Sequence, residues 1–416
     1  MQQSAWIIVL TMTLILGIAD SFVYAAQVGS GALAGLGNVG RPCTGNADDV
    51  SWNPAALGET KYRFQFLVTP ISLHVSSDDW SIETVLSLLT GTLSPEDRAE
   101  IEASLDGGDI SWSVDLRGGA DLALGSNAMG GSLRSHARGT VSSGAASLVI
   151  LGASPGRTYV LDGTDAEGVV FTEAHLGSAH SDVSVTEALR LSGFHVGTAV
   201  SYLHGLQYVK VRALDESLTV IEEGGQYKKI GDGRFSTWIS ENGWGLSTDV
   251  GIWARVTPTV SIDASIVDLG RMQWQNVQET EYELVVDPES GESTHVNRGT
   301  RPIASKPLWD LPTTARAGLS FDSGPGVRCS LQYVHGLAGS QVGRREVALV
   351  TQLSRVKALP LRLGVKYSND SEELSFSFGM GLHLGPLTFD IGSPNLAGLL
   401  GRGKEASIAV TTGLRF

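Results

Sequence analysis

Residues 405–416 read Glu405-Ala406-Ser407-Ile408-Ala409-Val410-Thr411-Thr412-Gly413-Leu414-Arg415-Phe416. Ala406, Ile408, Val410, Thr412, Leu414 and Phe416 occupy alternate positions, and the residues between them, Ser407, Ala409, Thr411, Gly413 and Arg415, are small or polar. In a strand, successive side chains point to opposite faces, so the stretch has one largely apolar face and one polar face. The pattern recurs upstream. Tyr62, Phe64, Phe66 and Val68 alternate with Lys61, Arg63, Gln65 and Leu67, and Ile110, Trp112, Val114 and Leu116 with Ser111, Ser113, Asp115 and Arg117. Val327, Cys329, Leu331 and Tyr333 oppose Arg328, Ser330 and Gln332; Leu361, Leu363, Val365 and Tyr367 oppose Arg362, Gly364 and Lys366.

Soluble sandwiches and propellers share this period with membrane barrels, so connection lengths have to arbitrate. Strands are expected at 61–68, 110–117, 120–126, 132–141, 146–152, 182–191, 194–213, 245–256, 260–270, 313–321, 326–335, 346–354, 361–368, 373–384, 387–392 and 405–416. That makes sixteen, with fourteen the other count because 120–126 is weak; bacterial barrels have even numbers. The turns Gly118-Gly119, Ser192-Gly193, Thr257-Pro258-Thr259, Asp322 to Pro325 and Gly385-Pro386 are short, whereas 69–109, 153–181, 214–244, 271–312, 336–345 and 393–404 are mostly long. Short turns at one rim and long loops at the other are the asymmetry of an outer-membrane β-barrel. Counting back from Phe416 puts the short-turn rim and both termini in the periplasm.

Composition narrows the class from the other side. Glycine is abundant at 51 residues, only 18 % of the chain is charged and the mean hydropathy is +0.05. Soluble globules carry nearer about 25 % charge. Beyond Ile18 no apolar run approaches the roughly 18 residues of a membrane helix. A formal net charge of −14 argues against nucleic acid, which recruits basic surfaces. Cys43 and Cys329 permit at most one disulfide, and none is expected, because Cys329 lies on the apolar face beside Val327 and Leu331. Residues 1–26 have the form of a signal peptide: an apolar core from Ala5 to Ile18, then small residues at Val23-Tyr24-Ala25-Ala26, although no Lys or Arg precedes the core. An uncleaved anchor is the other reading, and Asp20 shortens its apolar stretch.

The last strand, with Ile408, Val410, Leu414 and Phe416 on one face, resembles the signal by which the outer-membrane barrel assembly machinery recognises its substrates. That implies this machinery and outer-membrane lipid as partners. Near the other end, a Gly/Ala-rich stretch from Gly29 to Gly40 is followed by Asn46-Ala47-Asp48-Asp49-Val50-Ser51-Trp52-Asn53-Pro54-Ala55-Ala56-Leu57. Proline fixes φ and has no N–H, Asn can bond its own neighbouring backbone and Ala packs closely, so Asn53, Pro54 and Ala55 make a rigid turn. A Gly/Ala segment, acidic residues and a Trp-Asn-Pro-Ala turn together resemble the long-chain fatty-acid transporter (FadL-like) superfamily, which includes hydrophobic-compound channels and PorV-like and TraF-like proteins. In the channel members the Asn-Pro-Ala element belongs to a hatch that plugs the barrel. Val196 to Val211, Val267-Asp268-Leu269-Gly270 followed by Trp274, and Leu311 to Leu319 resemble strand phrases of TraF-like members. The resemblance implies a hatch at 27–60 within a barrel at 61–416, and a channel or uptake protein for small hydrophobic compounds. The alternative it carries is a structural or partner-binding barrel of a secretion, transfer or cell-surface assembly.

The first long loop is expected to hold helices. Asp79 can cap a stretch with Ile82, Val85, Leu86 and Leu89 on one face, and Ser94-Pro95-Glu96-Asp97 starts another that Gly107-Gly108 stops, both packing over the barrel mouth or, on the other reading, docking a partner or the membrane surface. Residues 271–312, with Glu279, Glu281, Glu283, Asp287, Glu289 and Glu292, are expected as a solvated acidic hairpin. Tyr202-Leu203-His204-Gly205-Leu206 recurs as Tyr333-Val334-His335-Gly336-Leu337, which reads as shared strand-end chemistry. Arg63, Asp115, Arg117, Arg316, Arg328 and Arg362 are the candidate lumen-lining charges, expected as interior ion pairs together with Asp249, Asp263 and Lys366. No catalytic residue, cofactor or metal is expected. Gly35 to Gly40 matches a dinucleotide fingerprint without its strand, Pro155 deprives Ser154 of an oxyanion-hole N–H, and His175 and His180 lack ligand spacing.

Overall fold

The computed structural model of the chain describes residues 31–34, 36, 45–77, 80, 94, 101, 103, 109–150, 157–215, 217–223, 226–231, 233–287, 289, 293–324, 326–339, 342–369, 374–400 and 404–416. The expected signal peptide, Cys43, Ser154 and most of the expected first-loop helices lie outside them.

Fourteen antiparallel strands close into a barrel. They are β1 Phe64–Ser77, β2 Ile110–Leu124, β3 Asn127–Val141, β4 Asp165–Ser181, β5 Gly193–Ala213, β6 Asn242–Thr257 and β7 Val260–Gln275. The second seven are β8 Thr314–Asp322, β9 Val327–Gly336, β10 Arg345–Leu353, β11 Leu361–Ser368, β12 Leu374–Leu384, β13 Leu387–Ser393 and β14 Glu405–Arg415. Each pairs with its neighbour, and β14 closes on β1 from Gln65↔Arg415 to Ser76↔Glu405. Phe416 is stitched into that seam: its N–H donates to the Phe64 carbonyl, its carbonyl accepts from Arg63 and Phe64, and its ring lies 5.9 Å from that of Phe64. Closure leaves no sheet edge, which is how extended backbone satisfies its polar groups inside a bilayer.

Outward-facing Leu331, Tyr333, Leu349, Leu363, Val365, Tyr367, Phe376 and Phe389 are exposed, while Ser330, Gln332, Arg362, Lys366, Ser375, Ser377 and Asp390, on the other face of the same strands, are buried. An apolar girdle of this extent around a polar interior is the surface of a membrane-spanning barrel.

Four expected strands change, two by merging and two by becoming helical, and one barrel strand is added, so sixteen become fourteen. Gly118-Gly119 lies inside β2, whose pairing with β3 runs unbroken from Ile110↔Val141 to Leu124↔Asn127, so 110–117 and 120–126 are one strand and the turn is Gly125-Ser126. Of the expected strand 146–152, the described residues 146–150 fall on the helix Ser143–Ile150, and 182–191 contains the helix Val183–Ala188, capped by Asp182 Oδ1 accepting from Val185 N at 3.0 Å. The supposed loop 153–181 contains β4. The outward face of β4 offers Thr172, Ala174, Leu176, Ser178 and His180, and a single large apolar residue among them leaves the alternation silent. Short connections therefore gather at the Phe416 rim and long ones at the opposite rim, as expected, with 182–192 and 354–360 the longer members of the short set.

Strand length divides the barrel. β1 to β7 contain 14, 15, 15, 17, 21, 16 and 16 residues, and β8 to β14 contain 9, 10, 9, 8, 11, 7 and 11. A tilted membrane strand needs about 9–11 residues. The second half merely spans; the first stands well clear on the long-loop side. There it carries strands Arg234–Ser240, Gln278–Val286 and Ser293–Pro302, which extend the sheet from β5, and a separate sheet of Arg157–Val160, Ser217–Glu223 and Gln226–Ile230. Trp80 and Ile101 from the first loop pack with Ile110, Trp112, Ala137 and Ala166 on the outward face of this wall. These two loop residues thus lie against the wall's outer side rather than over the mouth. The acidic hairpin is ion-paired rather than simply solvated: Glu279 and Glu281 both meet Arg301 at 2.9 Å, and Glu283 meets Arg298 at 2.6 Å and Lys229 at 2.5 Å.

Candidate functional site: the plugged lumen

Residues 45–60 lie inside the barrel, at its Phe416 end. Asn53 Oδ1 accepts from Ala55 N at 3.1 Å, closing the rigid turn, and Asn53 Nδ2 donates to the Ile252 carbonyl of β6 at 3.1 Å. Proline at the first position then opens a short 3-10 helix, Pro54–Glu59. The turn lies flat against the wall because the wall is bare there. A Cβ on Gly197 would collide with the backbone of Pro54 and Ala55, and one on Gly251 with Asn53 Oδ1.

Other contacts fix the segment from several sides. The Trp52 carbonyl accepts from Ser265 Oγ at 3.0 Å, and the Arg316 guanidinium stands 3.5 Å over the Trp52 ring. Arg117 donates to Ser51 Oγ at 3.3 Å, and Gln65 Nε2 to the Gly45 carbonyl at 2.7 Å. Glu59 pairs with His195 at 3.1 Å and with Arg255. Beneath these, Ala47, Val50 and Leu57 bury themselves against Leu67, Ala123, Ala128, Ala179 and Ala199 of the wall. Earlier in the chain, Leu36 packs with Val334, Ala348 and Val350, and Ala34 with Ala409, on the opposite wall.

Above the plug lies a charged layer. Arg134 of β3 meets Glu173 of β4 at 2.8 Å and reaches Asp268 of β7 at 3.0 Å, a bridge across the lumen. Asp268 has a left-handed backbone, φ 56°, at a break in the β6 register between Thr248 and Val250. Its N–H donates to Asp249 Oδ1 at 2.7 Å and its carbonyl accepts from Thr313 Oγ1 at 2.7 Å, so a short polar residue is held in a conformation that Asp tolerates better than most. Higher still the interior turns apolar, with Phe171, Leu203, Tyr208, Met272, Trp274, Trp309 and Leu311 in one cluster. Phe171 and His136 both lie against Trp309, with ring centroids 5.6 and 5.7 Å away.

The candidate lumen charges separate into groups. Arg117 and Arg316 touch the plug. Asp115 pairs with His136 in the upper lumen, and Arg362 with Asp390 at 2.7 Å in the short-stranded half. Arg328 meets Asp322 at 3.1 Å at the Phe416 rim, and Arg63 precedes β1 and is exposed there. Lys366 joins Glu346 at 3.1 Å and Glu405 at 3.7 Å. His175 faces inward beside Asp121 at 2.9 Å while His180 is exposed on the outer face. Glu173 is not legible by alternation because the outward face of β4 is mostly small or polar, and without it Arg134, on an expected strand, has no visible partner; inward-parity charges at Glu167 and Glu173 opposite β3 are the signal that would reveal the pair.

Residues 54–393 match a family of unknown function (DUF5723). The chain belongs to that family. No curated protein matches it by sequence. Among solved structures this DUF5723 chain is similar to the Ralstonia pickettii toluene transporter TbuX, at TM-score 0.52 and 12% identity over 93% of this chain and 98% of that one. It is similar to the P. putida toluene transporter TodX at TM-score 0.52 and 12% identity, over 94% and 99% of the two chains. A Pseudomonas aeruginosa FadL homologue gives TM-score 0.51 and 9% identity over 95% and 100%. At such identity the likeness is one of fold, and it runs nearly end to end. The DUF5723 chain thus has the FadL-type barrel fold that the motif around Asn53 implied, with the fourteen strands that alternation gave as its second count. The solved structures bear on the hydrocarbon-channel side of that resemblance and not on its TraF-like or PorV-like side.

Proposed function

We propose that this DUF5723 protein is an outer-membrane channel for small hydrophobic compounds, with residues 45–60 as its hatch and the Phe416 rim and both termini in the periplasm. The observation that carries the reading is the plug: a preformed turn seated on glycine-thinned wall by replaceable hydrogen bonds and small apolar contacts, beneath an aromatic-lined upper lumen suited to an apolar guest. The fold shared with barrels described as toluene transporters supports it. Assembly through the Ile408, Val410, Leu414 and Phe416 face and insertion into outer-membrane lipid belong to the same proposal.

Reconstitution in liposomes tests it. The intact chain is expected to admit a radiolabelled monoaromatic hydrocarbon without conducting ions, and deletion of residues 45–60 to open a steady ion conductance. Failure of both would remove the channel reading. One observation favours the structural, partner-binding alternative: the Arg134–Asp268 bridge spans the lumen. On that reading the outer sheets are the working surface, cross-linking there recovers a stable partner, and no solute passes.

A further inference from the structure

Beneath the plug, where the lumen opens at the Phe416 rim, a cavity of about 100 Å³ lies between β6, β7, β8 and β9. Three cationic residues, Lys61, Arg255 and Arg328, line it, with Ser261, Ser320 and the single carboxylate of Asp322. Asp322 pairs with Arg328 and Glu59 with Arg255, so among the described residues the three cations meet two carboxylates. Lys61 has no carboxylate partner among the described residues. Trp253, only 2% exposed, forms another wall, and its indole N–H is buried without an acceptor. The Arg255 guanidinium lies 5.3 Å from the Trp253 ring centroid.

Excess positive charge and the Ser261 hydroxyl on the cavity wall ask for an anion with several oxygen atoms, while the Ser320 hydroxyl is already bonded to Ser330. Glu59 already provides part of that chemistry. It sits at the end of the hatch helix, held by His195 and Arg255. Resting on the reading of residues 45–60 as a hatch, we infer that this cavity binds a small oxyanion, a carboxylate or phosphate group, which displaces the Glu59 carboxylate from Arg255 and thereby unlatches the end of the hatch. The site and the latch share one guanidinium, so binding and hatch release are coupled through direct competition.

The competition predicts opposite effects for two variants of the full chain in detergent. With ionic strength held by chloride, inorganic phosphate and acetate are titrated separately, read by tryptophan fluorescence against Trp253→Phe. Glu59→Gln removes the competitor and is expected to tighten binding about tenfold, whereas Arg328→Gln weakens it by about as much. Hydrogen exchange at residues 55–60 is expected to rise several-fold on saturation in the native chain, with no added effect of the anion in Glu59→Gln. Whichever of the two anions binds identifies the group the site prefers. Absence of saturable binding of both, a shift of the two variants in the same direction, or binding without faster exchange at 55–60 would overturn the inference.

Discussion

The two halves of the barrel solve different problems with the same strand. β8 to β14 need only cross a bilayer, and every outward position meets lipid, so their sequence alternates cleanly and stops. β5, with 21 residues, spans roughly 70 Å at the usual rise per residue. The repeated pentapeptide marks where they diverge. Tyr202 and His204, like Tyr333 and His335, point outward, but β9 ends at Gly336 whereas β5 runs on to Ala213. Beyond that level the wall is no longer a lipid surface: its outer face is covered by Trp80 and Ile101, its inner face by Trp274 and Trp309. The short half is a membrane wall; the tall half is a membrane wall continued as a water-soluble sheet with a core on each side.

The largest expected difference lies in the buried ion pairs. Arg134→Ala strands both Glu173 and Asp268 and is expected to cost about 3–5 kcal/mol, the range for removing one partner of a buried pair. Arg362→Ala leaves Asp390 with His383, 3.3 Å away, and should fall at or below the bottom of that range. Urea titration of the folded barrel in detergent measures both. Equal losses would mean that the cross-lumen bridge does no more for the tall half than a pair reaching over one strand, from β11 to β13, does for the short half.

The same division governs what the sequence reveals. All seven short strands stand where alternation placed them, to within a residue or two, because lipid demands an apolar side chain at nearly every outward position. In the tall half small outward residues interrupt the alternation even at the level of the membrane wall. Gly118 and Ala120 on β2, and Ala174 and Ser178 on β4, are outward yet small, so one strand was split and another was missed. Val183 and Val185 alternate like strand residues, but Asp182 caps a helix through a local hydrogen bond that outweighs two valines. The turn at Asn53, Pro54 and Ala55 was legible because these residues carry their conformation with them. Its seat was not, since Gly197 and Gly251 acquire meaning only when the fold brings them beneath that turn.

Lipid itself supplies the next test. Leu349, outward and midway along β10, is exposed, and Leu349→Arg is expected to cost about 2–4 kcal/mol, as arginine does near a bilayer midplane. Gln273→Arg, on the upper part of β7 one turn of alternation beyond Arg271, should change stability by under about 0.5 kcal/mol. A large loss at Gln273 would place the membrane boundary higher and erase the soluble extension. Glycine exchange is expected to matter somewhat less and to separate the halves again. Gly251→Val overpacks against Asn53 at a cost of about 1–3 kcal/mol and loosens the hatch, seen as leak conductance in liposomes. Gly364→Ala meets chiefly the Ser377 hydroxyl, which can rotate away, and should cost less than about 1 kcal/mol with no leak.

Acid should produce the smallest effect, confined to the top of the tall half. The Trp238 indole N–H donates to Glu279 at 2.9 Å and Arg301 lies beside it, and together they hold the Glu279 carboxyl below its ordinary range. Lys229, then Arg298, do the same for Glu283. A carboxyl whose pKa is depressed on folding contributes its full stabilisation above the unfolded value, near about 4.3, and loses it as pH falls through the folded value. The hairpin Gln278–Val286 with Ser293–Pro302 is therefore expected to loosen below about pH 4 while the barrel below it stays closed. Tryptophan fluorescence, with Trp238→Phe as the control, follows the hairpin, and heat-modifiable gel mobility follows the barrel. Glu279→Gln should flatten the Trp238 transition, because a neutral amide accepts the indole N–H without titrating. A transition that persists in Glu279→Gln would shift its origin to Glu283, whose partners Lys229 and Arg298 belong to the same outer sheets, and one that opened the barrel as well would show the two halves to be a single cooperative unit.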